Sequence, residues 1–135
     1  MTGKLVAIVG PSGVGKTSII SVLVDVRKRY ERILFLTTRP RRLYEVNGRD
    51  YLFVTEQEMD TLLISDLTLQ ESIVTIDRCR FAVSYLEIER LIATGRVGLI
   101  ELYIDRLPEF KGRYGNNLVS LFLMPSSMDI LSQRL

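Results

Sequence analysis

Hydrophobic residues in this chain form short continuous runs, and longer stretches with helical spacing separate them. Continuous runs of this kind are typical of strands buried on both faces of a parallel sheet. They predict strands at 5–9, 33–36, 97–102 and 118–124. Because the strands alternate with helical patterns, the predicted fold class is α/β, a parallel sheet flanked by helices on both faces.

Two stretches have clear helical spacing. The first spans 16–30 and repeats apolar residues at three- and four-residue intervals, which predicts the face that packs on the sheet. Its members are Ile19, Val22, Leu23, Val26 and Tyr30. The second spans 85–93 and is predicted to end at Gly95.

The pattern changes between residues 37 and 83. Polar turns separate a short strand at 50–54, a helix near 56–63 and a strand near 68–76. We therefore predict one domain with a core at 1–36 and 84–135 and an insertion at 37–83. No repeat or low-complexity segment separates the two parts of the chain.

Composition narrows the class of protein. The chain has 135 residues, of which 47% are hydrophobic, enough for one sizeable core. A net charge of +2 is too small to indicate a nucleic acid or membrane partner. Cys79 is the one cysteine and histidine is absent, so an intramolecular disulfide and a Cys/His metal site are excluded. With no targeting signal recognised, the expected location is cytoplasmic, and the oligomeric state stays open.

A phosphate-binding loop follows the first predicted strand and opens the first predicted helix, as its pattern G-x-x-x-x-G-K-[ST] requires. Glycines allow the backbone to approach phosphate oxygens, and the helix N-terminus points N–H groups at them. Lys16 is expected to reach the β- and γ-phosphates and Thr17 to bind Mg²⁺. The predicted ATP-binding residues are Gly10, Pro11, Ser12, Gly13, Val14, Gly15, Lys16 and Thr17. A chance lysine in a glycine-rich turn is the alternative, but strand, loop and helix in this order disfavour it.

Residues 37–54 contain a second informative stretch, TTRPRRLYEVNGRDYLFV. With the phosphate loop, it resembles the guanylate kinase family, whose pattern is T-T-R, two residues, R, then G-E-x-x-G-x-D-Y-x-F-V. The glycine before the glutamate is replaced by Tyr44. The matching residues are Thr37, Thr38, Arg39, Arg42, Glu45, Gly48, Asp50, Tyr51, Phe53 and Val54. The resemblance implies a P-loop NTPase fold with an inserted acceptor-binding subdomain.

The basic residues of this stretch suit a phosphate monoester. Arg39 and Arg42 offer planar forks that bind phosphate oxygens bidentately, and Tyr51 can add a hydroxyl. On charge pattern alone, a solvated basic turn would be the better interpretation. The tyrosine and the family spacing favour a site, and the resemblance implies that these three residues hold the phosphate of GMP.

The resemblance weakens where the guanine base should be bound. Phe35 stands where the family usually has a serine, and Glu71 is the nearest match to a guanine-binding glutamate. Phe81 takes the place of a phosphate-binding tyrosine, and Arg78 or Arg80 can compensate for the lost hydroxyl. Solvation of Glu71 on a strand, and simple packing of Phe81, are equally good interpretations.

A carboxylate at the end of the third predicted strand suits a metal site. Glu101 falls where the family has its first strand-end aspartate, and can bind Mg²⁺ through a water molecule. Asp105 is the alternative. Tyr103 replaces the second aspartate, which helps to hold guanine in the family.

Residues 124–135 are interpreted as a strand end followed by a helix start capped by Ser126 or Ser127. Family members continue with an arginine-bearing lid, a strand and a helix. The resemblance therefore implies that the sequence is either a fragment or a shortened member of the family.

The function that the resemblance implies is transfer of the γ-phosphoryl group of MgATP to a nucleoside monophosphate, with GMP as the expected acceptor and Lys16, Arg39 and Arg42 as catalytic residues. The partners are thus a nucleotide donor and a small phosphorylated acceptor. One alternative is a kinase of the same fold that acts on an acceptor such as ribose 1,5-bisphosphate. A second is a non-catalytic guanylate kinase-like binding module, which the intact phosphate loop disfavours.

Overall fold

A computed structural model describes residues 3–11 and 15–124. Its strands are β1 (Lys4–Val9), β2 (Tyr30–Arg32), β3 (Leu36–Thr37), β4 (Leu52–Phe53), β5 (Val74–Ile76), β6 (Cys79–Ala82), β7 (Val97–Leu102) and β8 (Leu118–Phe122). Its α-helices are α1 (Lys16–Val26), α2 (Glu56–Ser65), α3 (Leu67–Ser72), α4 (Tyr85–Ala93) and α5 (Leu107–Tyr114). Short 3-10 helices span Ile104–Arg106 and Gly115–Asn117.

The chain divides into two compact units. The first contains the described residues up to Ile33 and those from Leu91 onward, and the second is Leu34–Arg90. The segment predicted as an insertion, 37–83, lies within the second unit.

The first unit contains a parallel sheet with strand order β2-β7-β1-β8. Strand β1 lies between β7 and β8, and Leu5, Ala7 and Ile8 are fully buried. Apolar contact with α1 covers one side of this sheet, where Ile20 packs with Ile8. An all-parallel sheet with helices packed on it confirms the predicted α/β class.

The predicted face of α1 is only partly correct: Leu23 and Tyr30 pack on the core, and the other three members do not. Ile19, Val22 and Val26 are exposed, and the helix ends at Val26. Apolar residues are so dense in this helix that two faces have the same spacing, and the structure uses Ile20 and the adjacent Leu23 and Val24. Tyr30 begins β2, after Arg27 adopts an extended backbone at φ −124° and ψ 113°.

The second unit is built on a mixed sheet with strand order β4-β3-β6-β5. Strands β3 and β4 are parallel, whereas β6 is antiparallel to both β3 and β5. Its core consists of Leu36, Met59, Leu69 and Ala82. Helix α2 begins with a capping box in which Thr55 and Glu58 exchange side chain-to-backbone hydrogen bonds.

Two strand predictions fail in ways that matter for the site. The predicted strand at 33–36 is two separate strands, because β2 ends at Arg32 in one sheet and β3 begins at Leu36 in the other. Most of the predicted strand at 68–76 is helix α3, which Asp66 caps by accepting a hydrogen bond from the Thr68 N–H. Glu71 therefore lies on a helix.

The β5–β6 hairpin turns through Asp77 and Arg78, which both have positive φ, at 52° and 67°. Positive φ at both central residues is the condition for a type I′ turn, and glycine or asparagine normally meets it. This hairpin carries Phe81 on β6.

Helix α4 has the predicted bounds, and Gly95 follows it with φ 79°. Strand β7 also has the predicted bounds. Strand β8 is less buried than predicted, because it pairs only with β1 within the described residues and leaves Val119 and Leu121 exposed. Helix α5 was missed, and the predicted C-terminal helix with its Ser126 or Ser127 cap lies outside the described residues.

Candidate functional site

The phosphate loop joins β1 to α1 in the first unit. Gly15 has φ 103°, a left-handed conformation that suits glycine, and it precedes the first residue of the helix without any side-chain cap. The backbone N–H groups of the first helical turn are then available to an anion. Of the predicted loop residues, Ser12, Gly13 and Val14 lie outside the described residues.

Lys16 is the first residue of α1, and its ammonium group lies near the residues that follow β1. It donates hydrogen bonds to the carbonyl oxygens of Gly10 and Pro11, the latter at 3.2 Å. Burial lowers the pKa of Lys16, and the negative charge of Glu101 partly opposes this. An anion placed beside Lys16 would favour its charged form.

Thr17 and Glu101, the two predicted metal residues, are in contact. The Thr17 hydroxyl donates a hydrogen bond to Glu101 Oε1. The parallel register of β1 and β7 pairs Glu101 with Ile8, near the carboxyl ends of both strands. Hydroxyl and carboxylate oxygens are hard ligands that suit Mg²⁺, so these two residues fit the predicted ion. The alternative, Asp105, is exposed on a 3-10 helix beyond β7.

Across residues 3–11 and 15–124, no three His, Cys, Asp or Glu side chains are grouped closely enough to hold a metal ion. Magnesium ions in nucleotide sites commonly take part of their ligands from phosphate oxygens and water.

In the second unit, an ion pair centred on Arg39 follows strand β3. Arg39 Nη1 donates to Glu45 Oε1 at 2.9 Å, and Nη2 donates to Glu45 Oε2 at 2.7 Å. The pKa of Glu45 is lowered by its hydrogen bonds with Arg39, against burial, and the pKa of Arg39 is raised by the same pair. Both side chains therefore hold their charges.

Aromatic rings surround the Arg39 guanidinium. Its Cζ lies 5.2 Å from the centroid of the Tyr51 ring and 5.8 Å from that of Phe53. The Phe81 ring packs edge-on against Tyr51 at 6.0 Å. Three predicted acceptor residues, Arg39, Tyr51 and Phe81, are thus brought together.

The remaining predicted acceptor residues differ in their surroundings. Arg42 is exposed, and its backbone N–H donates to Glu45 Oε1 at 2.8 Å. Glu71 is exposed on α3, so the strand position predicted for it is wrong. Arg80, a suggested substitute for a lost hydroxyl, forms ion pairs with Glu56 and Asp60 of α2.

Sequence reasoning assigned no role to Glu45 or Phe53, although both belong to the matched family pattern. Glu45 is 7% exposed and orients Arg39, and Phe53 packs against the same guanidinium. The signal available in the sequence was a single carboxylate among the arginines of residues 39–49, since opposite charges close together in a loop can pair.

The phosphate-loop motif, the parallel sheet and the Thr17–Glu101 contact are typical of a P-loop protein of the α/β class. The sequence profile described as "Guanylate kinase" matches residues 2–135. The chain belongs to the guanylate kinase family.

Two relatives and one solved structure illustrate the similarity. A guanylate kinase of Rhodopseudomonas palustris (strain BisB5) is 34% identical over 133 residues, which is 98% of this chain and 60% of the relative. A guanylate kinase of Francisella tularensis subsp. holarctica (strain OSU18) is 32% identical over 138 residues, covering 100% of this chain and 72% of the relative. This chain thus spans 60% and 72% of the length of these two relatives.

The crystal structure of guanylate kinase from Anaplasma phagocytophilum has a TM-score of 0.75 and 22% sequence identity, covering 98% of this chain and 66% of that one. It supports the fold. Among the described residues, no helix is both long and apolar enough to cross a membrane.

Proposed function

We propose that this protein transfers the γ-phosphoryl group of MgATP to a nucleoside monophosphate, with GMP as the preferred acceptor. The observation that carries the proposal is the cluster formed by Arg39, Glu45, Tyr51 and Phe53. Its guanidinium is held by Glu45 and lies over Tyr51, in a segment that matches the acceptor pattern of the family. An arginine fixed in this way suits the two oxygens of a phosphate monoester.

The donor would bind at the phosphate loop. Lys16 stabilises charge on the β- and γ-phosphates, and the helix N-terminus directs its N–H groups at the same anion. When bound, Mg²⁺ would neutralise part of the negative charge of the donor phosphates. Thr17 and Glu101 supply the protein oxygens that would hold it.

The acceptor would be held by Arg39, Arg42 and Tyr51. One of its phosphate oxygens attacks the γ-phosphorus, the bond from that phosphorus to the β–γ bridging oxygen breaks, and ADP leaves with the electron pair. No covalent enzyme intermediate is needed. The contribution of these residues is positioning and charge stabilisation.

The base-binding residues support a less selective acceptor site than the family pattern would give. Phe35 replaces a serine, Tyr103 replaces an aspartate and is 61% exposed, and Glu71 is on a helix. These observations favour the second candidate, a kinase for a phosphorylated sugar such as ribose 1,5-bisphosphate, because a site with few polar base contacts rejects other acceptors weakly.

A coupled assay of ADP release tests the proposal. The wild-type protein is given MgATP with GMP, AMP or ribose 1,5-bisphosphate in turn, and each reaction is repeated with EDTA. Turnover that is fastest with GMP and absent in EDTA supports guanylate kinase activity, whereas turnover with the bisphosphate alone supports the second candidate. Acceptor binding by calorimetry without turnover would indicate the non-catalytic binding module and contradict both.

A further inference from the structure

Glu45 is a buried carboxylate in a loop whose neighbours are mostly exposed. Among the described residues, the buried polar or charged side chains are Thr37, Glu45 and Ser72, of which only Glu45 is ionisable as an acid. A carboxylate loses its hydration when it is buried, so it must be compensated by several donors.

The donors that compensate Glu45 come from the loop itself. Oε1 accepts from Arg39 Nη1 and from the Arg42 backbone N–H, and Oε2 accepts from Arg39 Nη2. The Glu45 carbonyl oxygen accepts from Arg41 Nη1 at 2.6 Å, and its N–H donates to the Arg42 carbonyl at 3.0 Å. Residues 39–45 therefore close around one carboxylate.

This arrangement determines which edge of the Arg39 guanidinium faces Glu45 and which does not. Glu45 accepts from Nη1 and Nη2, and the Pro40 carbonyl oxygen also accepts from Nη1 at 3.1 Å. The Nε–H and the second Nη2–H form the side edge of the guanidinium, and Tyr51 also forms a hydrogen bond with the Arg39 side chain. The rings of Tyr51 and Phe53, at 5.2 and 5.8 Å, limit rotation of the guanidinium plane. The side edge is a second fork that matches two phosphate oxygens.

We infer that Glu45 is a positioning residue for acceptor phosphate: it orients the side fork of Arg39 by its carboxylate and the Arg42 segment by its contact with the Arg42 N–H. The inference rests on the proposed function. Glu45 does not touch the acceptor, because its carboxylate would repel a phosphate and its oxygens are already engaged by the loop.

Two opposite effects make the inference testable. The negative charge of Glu45 weakens the attraction of Arg39 for a phosphate, whereas its geometry strengthens that attraction. If Glu45 only fills space in the loop, removing its charge should tighten the binding of the acceptor phosphate. If Glu45 orients Arg39, removing its charge should weaken that binding. The sign of the change in affinity distinguishes the two roles.

The experiment is calorimetric binding of GMP and of MgATP to the wild type and to Glu45→Gln. Glutamine keeps the shape and an acceptor oxygen for the Arg42 N–H but presents an amide where Arg39 needs a carboxylate. We expect GMP affinity to fall about tenfold or more, as for loss of a charge-assisted contact, with MgATP affinity unchanged. The matched control is Glu87→Gln, since Glu87 also pairs with an arginine of the second unit, Arg90, but is exposed.

An Arg39→Lys background tests whether Glu45 acts through Arg39. Lysine is a point charge with no fork to orient, so Glu45→Gln should then change GMP affinity less than about threefold. An equal loss in both backgrounds, or unchanged or tighter GMP binding by the single variant, would overturn the inference.

Two further measurements keep the test decisive. If Glu45→Gln fails to fold in a thermal melt, Glu45→Asp replaces it, since it keeps the charge but is one methylene too short; GMP affinity within twofold of wild type would then refute the positioning role. If the wild type binds no GMP, the proposed acceptor is wrong, but the positioning role of Glu45 can still be tested. The same variants are then compared with ribose 1,5-bisphosphate as the probe, and Glu45→Gln should again weaken its binding.

Discussion

At the scale of single residues, the charges that matter here are held by neighbours within the same unit. Lys16 contacts two loop carbonyl oxygens, Thr17 contacts Glu101, and Arg39 is held by Glu45. Each pairing orients a group before any ligand arrives. Orientation of this kind reduces the free energy that binding would otherwise lose to ordering side chains.

Lys16→Met should nearly abolish phosphoryl transfer and leave the fold intact. Methionine keeps an unbranched chain but loses the charge that stabilises the γ-phosphoryl oxygens, so a loss of roughly a hundredfold or more in rate is expected. The coupled ADP-release assay measures the rate, and circular dichroism checks the fold. The control is Lys4→Met, an exposed lysine of β1; retention of most activity by Lys16→Met would contradict the kinase proposal.

The decrease in the free energy of unfolding at low pH should depend on Glu45 and Asp66. Hydrogen bonds from Arg39 lower the pKa of Glu45 from its ordinary 4.5, and burial and Arg42 have smaller effects. Burial tends to raise the pKa of Asp66, but hydrogen bonds from Ser84 and Thr68 outweigh it and lower the pKa from 3.8. The stability that both carboxylates contribute is present above these ordinary values and is lost as pH falls through the lowered ones.

Urea unfolding at a series of pH values between 7 and 2 measures this effect. In Glu45→Gln and Asp66→Asn, the free energy of unfolding should fall less steeply with acid than in the wild type. Glu87→Gln, which removes an exposed carboxylate of α4, serves as the control. Parallel curves for all four proteins would show that neither carboxylate governs acid unfolding.

At the scale of elements, the polar ends of helices and turns explain where the prediction of strands failed. Asp66 accepts hydrogen bonds from the Thr68 N–H and hydroxyl, which begins helix α3 where apolar residues favoured a strand. Ser84 donates to Asp66 and also accepts from the Glu87 N–H at the start of α4. One carboxylate thus links two helix starts.

Arg78→Gly should stabilise the β5–β6 hairpin. Arg78 has φ 67°, which an L-residue adopts at a cost of roughly 1–2 kcal/mol and glycine does not. Since glycine also makes the unfolded chain more flexible, we expect a net gain of about 1 kcal/mol or less in unfolding free energy. Urea unfolding measures it, and Arg78→Ala is the control that removes the side chain but keeps Cβ. Equal stability of the two variants would mean that backbone strain is not the cause.

At the scale of the whole molecule, the proposed donor and acceptor residues belong to different units. Lys16, Thr17 and Glu101 lie in the first unit, and Arg39 and Arg42 lie in the second. Each set is held by contacts within its own unit. Substitutions in one set should therefore weaken the binding of one ligand and leave the affinity for the other unchanged.

Arg39→Ala and Arg42→Ala should weaken GMP binding while MgATP affinity stays unchanged. Each lost charge-assisted contact is worth about 1.5–3 kcal/mol. Calorimetry with each ligand separately measures both affinities. Arg39→Ala should also lower stability more than Arg42→Ala, because it leaves the Glu45 carboxylate buried without its main partner; an equal fall in MgATP affinity would show that the acceptor site is assigned wrongly.

The sequence by itself determined the features that depend on local chemistry. The strand and the helix start that flank the predicted phosphate loop, the bounds of α4 and β7, and the α/β class follow from short motifs and from the period of apolar residues. The family also followed from motifs, because the spacing of Arg39, Arg42 and Tyr51 is specific. These features need no knowledge of distant contacts.

Only the tertiary structure decided features that depend on distant partners. The face of α1 was ambiguous because two apolar stripes have the same spacing, and contact with Ile8 and Leu99 selected the one that contains Ile20. The chain leaves one sheet at Arg32 and joins another at Leu36, which one apolar run cannot show. The role inferred for Glu45 also required the structure, since a carboxylate in a basic loop shows its burial and its bidentate partner only once the loop has closed around it.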